Sequence, residues 1–91
     1  MSLYLMYGKY QPGAAKNISS ERTEMAEELI RQNGGSVKAS YALLGRSDLL
    51  FIVDFPDAKD VMKTSIAMGE KFGISFSTNA ATTIEEFDKL F

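Results

Sequence analysis

Apolar side chains along this chain recur at the period of a strand, then of a helix, and the switch repeats down its length. From Leu3 to Tyr10 bulky residues fill both alternating sets. Leu3, Leu5 and Tyr7 lie on one side and Tyr4, Met6 and Tyr10 on the other, which predicts a strand covered on both faces. Gln11-Pro12-Gly13 breaks that strand, and a linker runs from Ala14 to Ile18. Behind a Ser19 or Ser20 cap, Ile18, Arg22, Met25, Ala26, Leu29 and Ile30 mark the inner stripe of a first helix, which Asn33-Gly34-Gly35 stops. A second strand is predicted from Ser36 to Leu44, with Val37, Ala39, Tyr41 and Leu43 on one face. Gly45-Arg46-Ser47-Asp48 turns the chain into a third, Leu49 to Phe55, that is apolar at nearly every position. Asp57 caps a second helix with an inner stripe of Val61, Met62, Ser65, Ile66, Gly69 and Phe72. Gly73 ends it, and Ile74, Phe76 and Thr78 alternate with Ser75, Ser77 and Asn79 in a fourth strand.

The resulting order is β-α-β-β-α-β, the α+β plan called ferredoxin-like, with an antiparallel sheet. Right-handed crossovers place the first and third strands at its centre. Those are the strands that are apolar on both faces, so pattern and topology agree. One face can be covered by the two helices. The chain has little left to cover the other, which predicts a second copy against it and hence a homodimer or higher homo-oligomer. The last segment, Thr82 to Phe91, offers a capping box at Thr82 with Glu85 or Thr83 with Glu86. Ile84, Phe87, Leu90 and Phe91 fall on one side of a short helix that must dock to be stable, on its own sheet or on a neighbouring subunit.

Composition narrows the chemistry. With 91 residues, the chain reads as one domain spanning 1–91. Hydrophobic residues make up 45% and charged residues 24%, an ordinary globular balance. Net charge is −2 and the basic residues are scattered, so there is no stripe for a nucleic-acid backbone. Cys and His are both absent, which removes thiolate and imidazole chemistry, the Ser-His-Asp and Cys-His arrangements, and the usual zinc and haem ligands. No cofactor and no metal is expected. With neither a membrane-length apolar run nor a secretory signal pattern, the expected location is cytoplasmic.

Several short stretches carry a family resemblance over almost the whole chain. Tyr4-Leu5-Met6-Tyr7-Gly8-Lys9-Tyr10-Gln11-Pro12 is similar to the opening strand and turn of the GYD-domain family. Arg22, Gly34-Gly35, Tyr41, Leu44-Gly45, Asp48 and Pro56-Asp57 sit where that family has such residues, and Thr83-Ile84-Glu85-Glu86-Phe87 resembles its close. The chain departs from the pattern at Ser47, where the naming motif has Tyr, and at Ile84, where the family has Pro. The resemblance implies a ferredoxin-like fold whose sheets pair into a dimeric α/β barrel, a build shared by cofactor-free monooxygenases, small isomerases and haem enzymes. It implies no particular reaction.

Candidate site residues each carry two readings. Asp48, at the head of an apolar strand, could be a catalytic base, or its carboxylate could accept backbone N–H groups and brace the hairpin. Tyr7, Tyr10 and Tyr41 could present hydroxyls to a ligand, or pack between sheets with their hydroxyls at the rim. Asp54 interrupts an otherwise apolar strand and needs a partner such as Arg22 or Lys9, unless it is solvated at the strand end. Arg22 could hook a carboxylate ligand, or snorkel towards Glu21 or Glu24. Met6, Met25, Met62 and Met68 are expected to fill core gaps. The favoured function is a homo-oligomeric module that holds a small apolar or aromatic ligand in a cavity between sheet and helices. The alternatives are a cofactor-free enzyme of monooxygenase or isomerase type, using Tyr and Asp48, and a purely structural or partner-binding subunit.

Overall fold

A computed structural model describes all 91 residues. The elements are β1 (Ser2–Tyr10), a single 3-10 turn (Ala14–Asn17), α1 (Ser20–Gln32), β2 (Ser36–Ala42), β3 (Leu49–Phe55), α2 (Ala58–Phe72), β4 (Ile74–Ala81) and α3 (Ile84–Asp88). The sheet is antiparallel, in the order β2-β3-β1-β4. This is the ferredoxin-like arrangement, with the two doubly apolar strands in the middle as expected.

Local chemistry sets the helix ends. Ser19 Oγ accepts the amide of Arg22 at 3.0 Å, Asp57 Oδ1 that of Lys59 at 3.0 Å, and Thr83 Oγ1 that of Glu86 at 3.0 Å. At the far end of α1 the Gly35 amide donates to Ile30 O and the Gly34 amide to Arg31 O. Gly34 sits there at φ 90°, so the pair forms a complete Schellman motif. Gly35 is required for a different reason. A Cβ there would lie 2.6 Å from the buried Phe55 ring, so the helix stop also lets the core ring reach the backbone.

Both long helices lie on one face of the sheet. Between them and the sheet are Met6, Phe51, Val53 and Phe55 from the central strands, Ala26, Leu29 and Ile30 from α1, and Val61 and Met68 from α2. The buried stripe of α2 differs from the pattern. It runs through Val61, Thr64 and Met68, while Met62 and Ile66 are each 64% exposed. Thr64 is fully buried because its hydroxyl is satisfied, donating to Asp60 O at 2.7 Å and accepting from Asn33 Nδ2 at 3.0 Å. A polar residue thus holds a core position, and the helix is rotated from where its largest apolar residues would set it. Met25 and Ile18, also expected inside, are exposed, so of the methionines expected to fill the core only Met6 and Met68 do.

Strand β2 ends at Ala42 rather than Leu44, and Leu43 and Leu44 project from the loop. The register of β2 against β3 shifts between Val37 and Ala39. Lys38 is the extra residue of this bulge. It separates the expected set, leaving Val37 on the helix side opposite Val53 and putting Ala39 and Tyr41 on the other face.

Candidate functional site

The face of the sheet away from the helices is uncovered. Its centre is a row across the strands, in which Tyr41 opposes Leu50, Leu50 opposes Tyr7, and Tyr7 opposes Ser77. The next row holds Ala39, Ile52, Leu5 and Asn79, and beyond it lie Asp54, Leu3 and Ala81. Large apolar side chains therefore occupy the two central strands, and apart from Tyr41 on β2 the edges carry small or polar ones. Asp54 bears the only charge directed onto these rows. It lies at the margin and pairs with Lys38 Nζ at 3.1 Å. Its partner is thus neither Arg22 nor Lys9. The bulge supplies it, since the inserted residue sits beside the end of β3.

Tyr7 and Tyr41 share this face, one on each side of Leu50, but Tyr10 and Arg22 lie elsewhere. Tyr10 is an odd number of residues from Tyr7 in the same strand and faces the helix side, opposite Ile74. The Arg22 guanidinium stands 4.8 Å from the centre of the Tyr10 ring, and its Nη1 donates to Ala14 O at 2.7 Å. Neither Glu21 nor Glu24 receives it. Arg22 instead ties the start of α1 to the 3-10 turn, and its buried Nη2 has no partner within the chain.

Asp48 belongs to this second group. Its Oδ2 accepts the Tyr10 amide at 2.9 Å, its own amide donates to Gly8 O at 2.8 Å, and Lys9 Nζ donates to the Arg46 carbonyl at 3.2 Å. The carboxylate fastens the β2–β3 hairpin to the end of β1, a brace of the kind its turn position suggested. No three acidic side chains converge as metal ligands.

One further concavity went unread in the sequence. Between α2 and β4 lies a groove of about 430 Å³, lined by Tyr4, Val61, Met62, Ile66, Phe76 and Thr78 together with Ala58, Ser65 and Ala80. The signal was present in Met62 and Ile66, whose apolar side chains are i and i+4 on α2 but do not enter the core.

Sheet order, helix placement and an exposed apolar face together define a ferredoxin-like α+β domain. The family model of the GYD domain matches residues 4–91, and the chain belongs to the GYD domain family. Its fold is similar to that of the leucine response regulatory protein (LrpA) of Mycobacterium tuberculosis, with a TM-score of 0.65 at 10% identity. The match covers 91% of this chain and 52% of that one, so the chain spans about half its length, and at this identity the likeness is one of fold. No curated protein matches the sequence. No helix is long and apolar enough to cross a membrane.

Proposed function

We propose that the chain is a homo-oligomeric module that binds a small apolar or aromatic molecule between two copies of its open sheet face. The observation that carries this reading is the apolar field of Leu3, Leu5, Tyr7, Leu50 and Ile52, with charge only at its two margins, the Asp54–Lys38 pair at one and Lys9 beyond Tyr7 at the other. Such a field is rare on a monomer, and a two-fold axis lets one patch cover itself. Stacked sheets stand about 10 Å apart, a gap that Leu, Ile and Tyr fill from both sides. Ala39, Ser77 and Ala81 at the edges are too short to fill it. Space is therefore left beside Tyr7 and Tyr41, with their hydroxyls available to fix one polar atom of a ligand.

This site differs from a cavity between sheet and helices, which the fully packed side of the sheet leaves room for only at the α2–β4 groove. The alternative of an enzyme using Asp48 draws no support from a carboxylate already committed to a strand end. Light scattering tests the assembly: the wild type is expected to be at least dimeric at micromolar concentration, and Ile52→Lys monomeric with its fold intact. A screen of small aromatic and aliphatic carbonyl compounds tests the site, with a saturable rise in Tm that Tyr7→Phe diminishes. A monomeric wild type would sink the proposal.

A further inference from the structure

Two apolar surfaces remain unpartnered after the open sheet face is set aside, and they match each other. The first is the C-terminal segment. Every residue from Thr82 to Phe91 is exposed, with Ile84 at 75%, Leu90 at 73% and Phe91 at 94%. Ile84, Phe87 and Phe91 follow helical spacing, and the Phe87 and Phe91 rings pack edge to face at 5.3 Å. A helix this short does not hold in water without a surface to lie on. The second is the groove between α2 and β4, where Met62 and Ile66 stand open and the buried Thr78 Oγ1 has no hydrogen-bond partner in its own chain.

Dimensions and charge agree. The five helical residues of α3 rise about 8 Å and the turn after it carries the apolar side on to Phe91, within the roughly 12 Å that α2 spans from Ala58 to Ile66. The strand wall from Phe76 to Ala80 is about 13 Å long. The segment carries Glu85, Glu86 and Asp88 against one basic residue, Lys89, which lies 3.7 Å from Glu86 and 3.9 Å from Glu85. Lys59 and Lys63 flank Met62 and Ile66 on the outer side of the groove with Glu70 beyond them, and neither lysine forms a salt bridge. Acidic flanks on an apolar helix thus meet basic flanks on an apolar groove.

We infer that residues 83–91 of a second copy dock in the α2–β4 groove of the first. The chain's own segment does not occupy the groove. Only Thr82 and Thr83 separate β4 from α3, and Thr83 is extended (φ −70°, ψ 154°) rather than folded back. The contact is smaller than a stable interface needs by itself, so it fastens an assembly whose main area lies elsewhere. It takes from the proposed function only that a second copy is present.

Because the chain contains no Cys, thiol cross-linking is clean. Lys63→Cys and Glu86→Cys are prepared separately in the full-length protein, leaving the apolar contacts intact. They are then mixed and treated with a short bis-maleimide. An intermolecular 63–86 product is expected at least tenfold faster than from Glu86→Cys mixed with Arg46→Cys. A 39–86 product with Ala39→Cys in its place would put the segment on the open sheet face and overturn the inference. So would a purely intrachain product from the double variant Lys63→Cys/Glu86→Cys at low concentration. Light scattering on the same samples separates the two proposals. An oligomer without the 63–86 product overturns this one alone, and a monomer overturns both.

Discussion

The Tyr10 amide lies beyond the last β1–β3 pair, Gly8 with Leu49, at a point where β3 has not yet begun. The Asp48 carboxylate takes the place of the missing strand carbonyl. Removing it strands a part-buried donor, which costs about 1–3 kcal/mol, whereas an amide oxygen can still accept the bond. Asp48→Ala is therefore expected to lower Tm by several degrees, roughly 4–8 °C per kcal/mol for a chain of this size, and Asp48→Asn by less than half as much. Equal losses in thermal denaturation would mean that the charge, not the acceptor, matters. Gly35→Ala tests a different contact. Its Cβ would meet the buried Phe55 ring at 2.6 Å and Ile30 Cγ2 at 2.9 Å, so overpacking of about 1–3 kcal/mol is expected although Ala favours a folded backbone elsewhere.

Elements were legible where spacing and stop signals coincide, as at Asn33-Gly34-Gly35 or across the doubly apolar β1 and β3. Rotation and register were not. In α2 the sequence offers Met62 and Ile66 as core residues, yet the helix turns Thr64 inward because Asn33 and the Asp60 carbonyl satisfy its hydroxyl. A tertiary hydrogen bond of that kind has no sequence spacing. Thr64→Val, which keeps the shape but leaves Asn33 Nδ2 without its acceptor, is expected to cost about 1 kcal/mol, and Thr64→Ala more because a void is added. Chemical denaturation of the two variants would show the order; a Val variant as stable as wild type would mean that the hydroxyl does not fix the rotation. The bulge at Lys38 was equally invisible, since one inserted residue in an alternating run looks like continued alternation. It decides the site all the same. It brings Tyr41 to the face of Tyr7 and delivers the lysine that neutralises Asp54. The separation of Tyr7 from Tyr10, by contrast, follows from strand parity alone.

For the whole molecule, the helix side of the sheet is covered by α1 and α2 and the other side is bare, so folding of one chain leaves apolar surface exposed. If copies meet there, association and folding are linked, and the apparent stability must depend on protein concentration. Each tenfold increase adds about 1.4 kcal/mol per mole of dimer, which for a unit of about 180 residues raises Tm by roughly 3–5 °C. The wild type is expected to show this rise between micromolar and hundred-micromolar samples. Ile52→Lys places a charge in the row next to the centre of the face, opposite Leu5, where a second sheet would have to desolvate it. Its Tm is expected to stay flat over the same range while its far-ultraviolet circular dichroism matches the wild type. A flat wild-type curve would mean that the face closes on nothing, and Tyr7 and Tyr41 would then line an exposed surface rather than a cavity.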